Sequence, residues 1–315
     1  MKKPAHKIYR TTNWPAYNRA LMSRGNIAIW FDPATQWYAP SKGKQGRNQT
    51  YSDAAIQCCL MIKSLFRLSL RMVTGFVQSL IKLCGLNWIA PDYTTLCRRQ
   101  KHIDIVISYQ KSSDGLHLLM DSTGMKFLGE GEWKRKKHGA EYRRQWRKLH
   151  IGIDAKILQI RAIQLTTNNV SDSQVLGDLL NQIPQDEQID SVYTDGAYDT
   201  KQCRQVIADR QAHVVILPRK NAKPRKDTKS SSLERNKLLR TVNLAKQCFS
   251  GRTLWKKWSG YHRRSLVETK MHCIKLLADK LSARSFDSQV NETLARVAIL
   301  NRFTELGRPL TQVTP

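Results

Sequence analysis

The chain is short of acid: 25 Asp and Glu stand against 53 Lys and Arg, a formal net charge of +28 over 315 residues. Such an imbalance disfavours a basic macromolecule as partner and favours a polyanion. No run of eighteen apolar residues occurs, which excludes a transmembrane helix of ordinary length. The opening Met-Lys-Lys-Pro-Ala-His-Lys has no apolar stretch of the kind a secretory signal needs. The seven cysteines form no CxxC pair, so neither a zinc ribbon nor a dithiol redox motif is indicated. Several fall at apolar periodic positions, as small core residues of a reducing compartment do. There is no fixed-period repeat and no low-complexity tract, which sets aside solenoids and tail-driven functions. A soluble, intracellular and cytoplasmic protein is expected. Its charge is spread along the chain without an amphipathic basic anchor, so nucleic acid is a better partner than a membrane.

What is present falls into stretches of different character. The first fifty residues are polar, with Trp14, Trp30 and Trp37 among Gly, Pro and Asn, and predict an arm or irregular cap. Ser52-Asp53 is a helix start, Ser as N-cap and Asp on the positive helix end. A second helix opens near Ser69, with Val73, Val77, Leu80, Ile81 and Cys84 on one stripe and Gly85 to end it. Pro91-Asp92 begins a short third helix that carries Arg98, Arg99 and Lys101, groups suited to phosphates and base edges. Three helices ending in a basic one suggest a helix-turn-helix module, with an unusually long link from Gly85 to Pro91.

From Leu116 the pattern changes to strands. Leu116-His-Leu-Leu-Met-Asp121 is an apolar run ending in an acid, as in a central strand buried on both faces. Leu149–Ile153 and Ile157–Ile163 are two further strands, and the three make a plausible antiparallel meander. Ser171-Asp-Ser173 caps a helix with Val175, Leu176, Leu179 and Leu180 inward. Ile189-Asp-Ser-Val-Tyr-Thr-Asp195-Gly196 is a fourth strand, again ending in an acid; a helix from Lys201 and the run His213–Leu217 follow. Asp154, Asp172 and Asp199 read as turn or cap residues.

Two segments are strongly basic. Lys134 to Lys148 holds eight Lys or Arg, Arg143 and Arg144 among them, interleaved with Trp133, Tyr142 and Trp146, and aromatics among cations suit a nucleic-acid surface. Arg219 to Lys257 holds thirteen cations against Asp227 and Glu234, its middle composed like a mobile loop.

Tyr261, Arg264, Glu268 and Lys275 follow the spacing Y-x2-R-x3-E-x6-K. On a single helix they share one narrow polar stripe beside an inner face of Val267, Met271, Ile274 and Ala278. Asp121, Asp195 and Glu268 are spaced by 74 and 73 residues. With Asp121-Ser-Thr-Gly, Arg144-Gln-Trp-Arg-Lys-Leu-His150, Asp195-Gly-Ala-Tyr-Asp199 and Ser259-Gly-Tyr-His-Arg-Arg, these motifs make the chain resemble, over residues 115 to 305, bacterial insertion-sequence transposases of the DDE class, most of all the family whose type member is insertion sequence five.

The resemblance implies an α/β fold: a ribonuclease H-like catalytic domain over 111–284, a mixed five-stranded sheet with helices. A mainly helical DNA-binding region over 1–110 would precede it, and a C-terminal helix in 285–315 would pack on it. Asp121, Asp195 and Glu268 would be the catalytic, metal-binding triad. With no thiol or imidazole cluster nearby, such oxygen donors take two Mg2+ ions, about 4 Å apart in sites of this kind, and Mn2+ can substitute. Tyr261, Arg264, Lys275, Arg98, Arg99, Lys101, Arg143, Arg144 and Trp146 would hold DNA. The expected reaction is cleavage that frees 3′-OH ends, followed by joining to target DNA. The partners would be terminal inverted repeats, target DNA and a second copy of the chain, at the nucleoid. A nuclease of the same fold that never joins ends, and a non-catalytic DNA-binding regulator, are the alternatives.

Overall fold

The computed structural model describes residues 9–41, 48–112, 114–129, 131, 133, 136–137, 145–219, 221–244 and 251–313. The chain divides into two units, residues 1–108 with 294–315, and residues 109–293. Among the described residues, no helix is long and apolar enough to cross a membrane.

The first unit opens with β1 (Tyr9–Thr11) and α1 (Trp14–Arg24), followed by α2 (Asp53–Phe66), α3 (Leu70–Leu83) and α4 (Tyr93–Arg99). Three side chains cap the last three helices: Ser52 accepts from Ala55 N–H, Ser69 from Met72 N–H, and Asp92 from Thr94 and Thr95 N–H. Gly85 ends the α3 segment at φ 64°, a conformation that costs glycine least. The stretch expected to be irregular contains α1 and adds Phe31 and Trp37 to the core of the unit: the Trp37 ring stacks on that of Trp88 at 4.7 Å, and Phe31 meets both edge-on. These rings come from segments with no periodicity, so a pattern search does not find them.

The second unit is built on β2 (Leu116–Phe127), β3 (Arg147–Asp154), β4 (Ile160–Thr167), β5 (Ile189–Thr194) and β6 (His213–Ile216), in the spatial order β4-β3-β2-β5-β6. β2, β3 and β4 form the antiparallel meander, whereas β5 runs parallel to β2 and β6 parallel to β5. That order and those directions are the ribonuclease H-like arrangement. The parallel pairs need crossovers, supplied by α5 (Asp172–Asn181) and α6 (Lys201–Asp209). Leu116, Leu118 and Met120 of β2 share a core with Val175, Leu176, Leu179 and Leu180 of α5.

Beyond β6 the basic stretch is largely helical, with α7 (Ser230–Leu244) and α8 (Gly251–Trp258). The inner face of α7 is mixed: Ser231, Ser232, Arg235 and Asn236 are buried in its first half and Leu239 and Val242 in its second. Its first two turns therefore carry no hydropathy signal. A 3-10 turn (Tyr261–Arg264) leads into α9 (Ser265–Leu277), and β7 (Lys280–Leu281) pairs parallel with the far end of β2. The Tyr261–Lys275 stripe is thus a turn joined to a helix, with Val267, Met271 and Ile274 buried.

The C-terminal helix, expected to pack on the catalytic domain, is divided between the two units. In α10 (Phe286–Leu306), residues up to Thr293 belong to the second unit, where Gln289 accepts from Arg147 Nε at 2.7 Å and Glu292 accepts from Ser282 N–H at 3.0 Å. From Leu294 onward the helix belongs to the first: Ala295 is in its core, Asn301 Nδ2 donates to Ser108 O at 3.1 Å, and β8 (Thr311–Val313) pairs with β1. Its apolar run fits a helical core as well as a sheet, so composition cannot choose between them.

Candidate active site

Asp121 lies within β2 and not at its end as the apolar run suggested. The β2–β3 pairing carries on through Asp121↔Ile151 to Met125↔Arg147, while the β2–β5 pairing stops at Leu119↔Tyr193. Asp121 and Asp195 each stand two residues beyond that last parallel pair, so register puts them side by side where the β5 ladder ends. Asp195 then caps the turn Gly196–Tyr198, accepting from Ala197 N–H at 2.8 Å. A Cβ at Gly196 would lie 3.3 Å from the Leu217 carbonyl oxygen, which favours glycine after the acid.

The third acid comes from α9, whose buried face sets Glu268 at its margin with a half-exposed side chain. Arg264 ties the elements together: its Nη1 donates to Asp121 Oδ2, and its Nη2 donates to Glu268 Oε1 at 2.6 Å. Burial pushes the Asp121 carboxyl above its ordinary range. The Ser122 N–H and Arg264 oppose that rise, and the charges of Asp195 and Glu268 add to it. Burial also works against the Arg264 charge, but Asp121, Tyr261 and Glu268 outweigh it and raise its pKa. The Tyr261 ring packs 5.6 Å from Trp255, and burial raises its hydroxyl pKa, the charges of Asp195 and Asp121 adding to the effect. Lys275 Nζ donates to Thr123 Oγ1 at 2.8 Å, two residues beyond Asp121 on the same strand.

These carboxylate donors are chemically suited to a hard divalent cation. Among the described residues no three His, Cys, Asp or Glu side chains are grouped to hold an ion, and the Arg264 guanidinium spans two of the three acids.

Arg98 and Lys101 are exposed in the first unit, where Arg98, Arg99 and His102 line an open groove with Tyr51 and Asp53. Arg99 is held there, donating to Tyr51 O at 2.8 Å and to Asp53 Oδ1 at 2.5 Å. The Trp146 ring faces Gly124 on β2. Arg143 and Arg144 lie outside the described residues, with much of the basic segment around them.

A family model described as "Transposase DDE domain" matches residues 112–302, and a second with the same description matches residues 22–130. The chain belongs to the DDE transposase family. Domains of this family use divalent metal ions, typically Mg2+. Two solved structures are similar to part of this chain. The Drosophila P element transposase strand transfer complex is similar at 12% identity and TM-score 0.31 over 56% of this chain and 43% of that one. The simian T-cell lymphotropic virus intasome in complex with PP2A regulatory subunit B56 gamma is similar at 16% identity and TM-score 0.24 over 55% and 59%. The chain spans less than two thirds of either.

Beside the acids, the DDE transposase fold carries two polar clusters absent from the sequence reading. Asp172, expected as a cap, also takes Lys148 Nζ at 2.8 Å and lies 3.4 Å from His150 Nδ1. Burial opposes its charge, but hydrogen bonds from His150, Lys148 and Ser122 win, holding its carboxyl well below the usual range. Ser122 adjoins Asp121, so this cluster buttresses β2 from the β3 side. The Arg-Lys-Leu-His150 motif is its only sequence signal. Asp199 is enclosed by Arg204 at 2.8 Å, Arg235 at 2.8 Å and Arg225 at 3.8 Å, locking the turn after Asp195 to α6 and α7.

Proposed function

We propose that this chain is a DNA transposase of the insertion sequence five type, with Asp121, Asp195 and Glu268 as its catalytic acids. The carrying observation is the Arg264 bridge from Asp121 to Glu268, with Asp195 in register beside Asp121. That bridge and that register support one site for three acids distant in sequence. The family match over residues 112–302 supports the reading.

In this mechanism Asp121, Asp195 and Glu268 would hold Mg2+, which would supply activation of water and stabilisation of the leaving 3′ oxygen. Asp121 and Asp195 each accept from a backbone N–H, while Glu268 on α9 is half-exposed and accepts from Arg264. Arg264 and Lys275 take phosphates of the DNA end, and Tyr261 stacks on or hydrogen-bonds its terminal nucleotides. The same site then lets the freed 3′-OH attack target DNA. The groove beside α4 in the first unit reads the terminal inverted repeats, and two copies of the chain hold two ends.

The test is incubation of the full chain with element-end duplex, Mg2+ and a supercoiled target plasmid. Wild type should cleave and join, whereas Asp121→Asn, Asp195→Asn and Glu268→Gln should each lose cleavage by at least about a thousandfold and keep end binding. Cleaved but never joined ends would move the chain to the nucleases. Wild-type cleavage by any of the three variants would remove that acid from the site.

A further inference from the structure

Arg264 belongs to the 3-10 turn and not to α9, and its side chain reaches back over two acids on different elements. Its guanidinium occupies one oxygen of Asp121 and one of Glu268, while the side chain keeps 20% of its surface exposed. A carboxylate oxygen given to a planar, two-pronged donor is not free to ligate a metal ion in the same geometry. From these contacts, and resting on the transposase reading above, we infer that Arg264 and a divalent cation are alternative occupants of one site. Arg264 is an internal counter-ion that screens Asp121 from Glu268 until a cation replaces it. Displaced, the guanidinium is one side-chain length from its former partners and free to take a DNA phosphate.

Two ligands are then linked through one side chain. A cation that releases Arg264 supplies the DNA end with a contact, and by reciprocity a DNA end that draws Arg264 away eases cation binding. The linkage needs no movement of the sheet: the partly exposed arginine and the half-exposed Glu268 are the moving parts.

The experiment measures Mn2+ binding to the DNA-free full chain by electron paramagnetic resonance and calorimetry. Arg264→Ala should bind Mn2+ about tenfold tighter than wild type, the cost of breaking charge-assisted hydrogen bonds having been removed. Arg263→Ala removes the same charge from the adjacent exposed position and should stay within about twofold of wild type. Arg264→Gln replaces the alanine variant if circular dichroism shows that one unfolded. Equal affinities for wild type and both Arg264 variants, or an equal gain in Arg263→Ala, would overturn the exchange. In a second arm, Ca2+ at fixed ionic strength should raise wild-type affinity for end duplex more than that of the Arg264 variant; equal gains also overturn it. If Mn2+ binds neither wild type nor the Arg264 variants, and Asp121→Asn changes nothing, the cation-site reading itself falls, a different result from tight but Arg264-independent binding.

Discussion

Replacing Asp199 by Asn tests the largest buried charge imbalance described here. The carboxylate is 2% exposed and faces Arg204, 3% exposed, and Arg235, 6% exposed, with Arg225 behind them. Asparagine keeps the shape and one acceptor but removes the counter-charge that three guanidinium groups share, leaving only the weaker influence of Glu234 on Arg204 and of Asp227 on Arg225. Removing one partner from a buried ion pair costs about 3–5 kcal/mol. For a unit of this size that is a fall in Tm of about 6–20 °C. The pH dependence has a definite sign. Burial opposes the Asp199 charge, but Arg235 and Arg204 prevail and hold its folded pKa below the unfolded value. Its stabilisation is therefore complete above the ordinary carboxyl range, about pH 4, and is lost as pH falls through the folded value. Thermal and urea unfolding followed by circular dichroism between pH 3 and 7 gives both quantities. Asp199→Asn should melt earlier at pH 7 with a shallower acid slope, and adding Arg235→Met should recover part of the loss, since the two changes share one network. A variant within about 1 kcal/mol of wild type, or with an unchanged acid slope, would refute the account of Asp199 as counter-ion to three arginines.

Arg99→Ala should lower Tm, because Arg99 is spent on Tyr51 and Asp53, whereas Arg98→Ala and Lys101→Ala should weaken end-duplex binding at unchanged Tm; gel-shift titrations beside melting curves separate the two. Tyr198→Phe should change stability by less than about 1 kcal/mol in urea melts, because the hydroxyl of this fully buried residue has no hydrogen-bond partner among the described residues; a loss above about 2 kcal/mol would reveal one. Lys275→Ala should reduce the slope of log affinity for pre-cleaved ends against log salt by about one unit, and an unchanged slope would leave Lys275 as a tether for Thr123.

The sheet was legible because its strands announce themselves: Leu116–Met120 and Ile189–Thr194 are short strand-like runs, each followed by an acid. Where β2 ends was not legible, since Asp121 to Gly124 is polar sequence paired on one side only. α7 escaped because the buried residues of its first half are serine, arginine and asparagine, and Leu239 and Val242 alone are too few to mark a hydrophobic period. At the candidate site, spacing alone places Arg264 one turn from Glu268. Its second partner, Asp121, is 143 residues away and depends on how β2 meets α9. For the same reason Asp172 reads as a helix cap until β3 delivers Lys148 and His150 to it.

The division of α10 has a consequence for the order in which the protein is made. Residues 109–293 can emerge from the ribosome and close their own sheet, but the first unit cannot finish until Leu294 to Val313 follow, supplying Ala295 to its core and the strand that pairs with β1. At synthesis rates of about 5–20 residues per second, the amino-terminal helices wait roughly 10–40 s for that partner. A nascent chain thus completes its second unit before its groove beside α4 has a full scaffold, and a copy truncated before Leu294 lacks part of the core of the unit translated first.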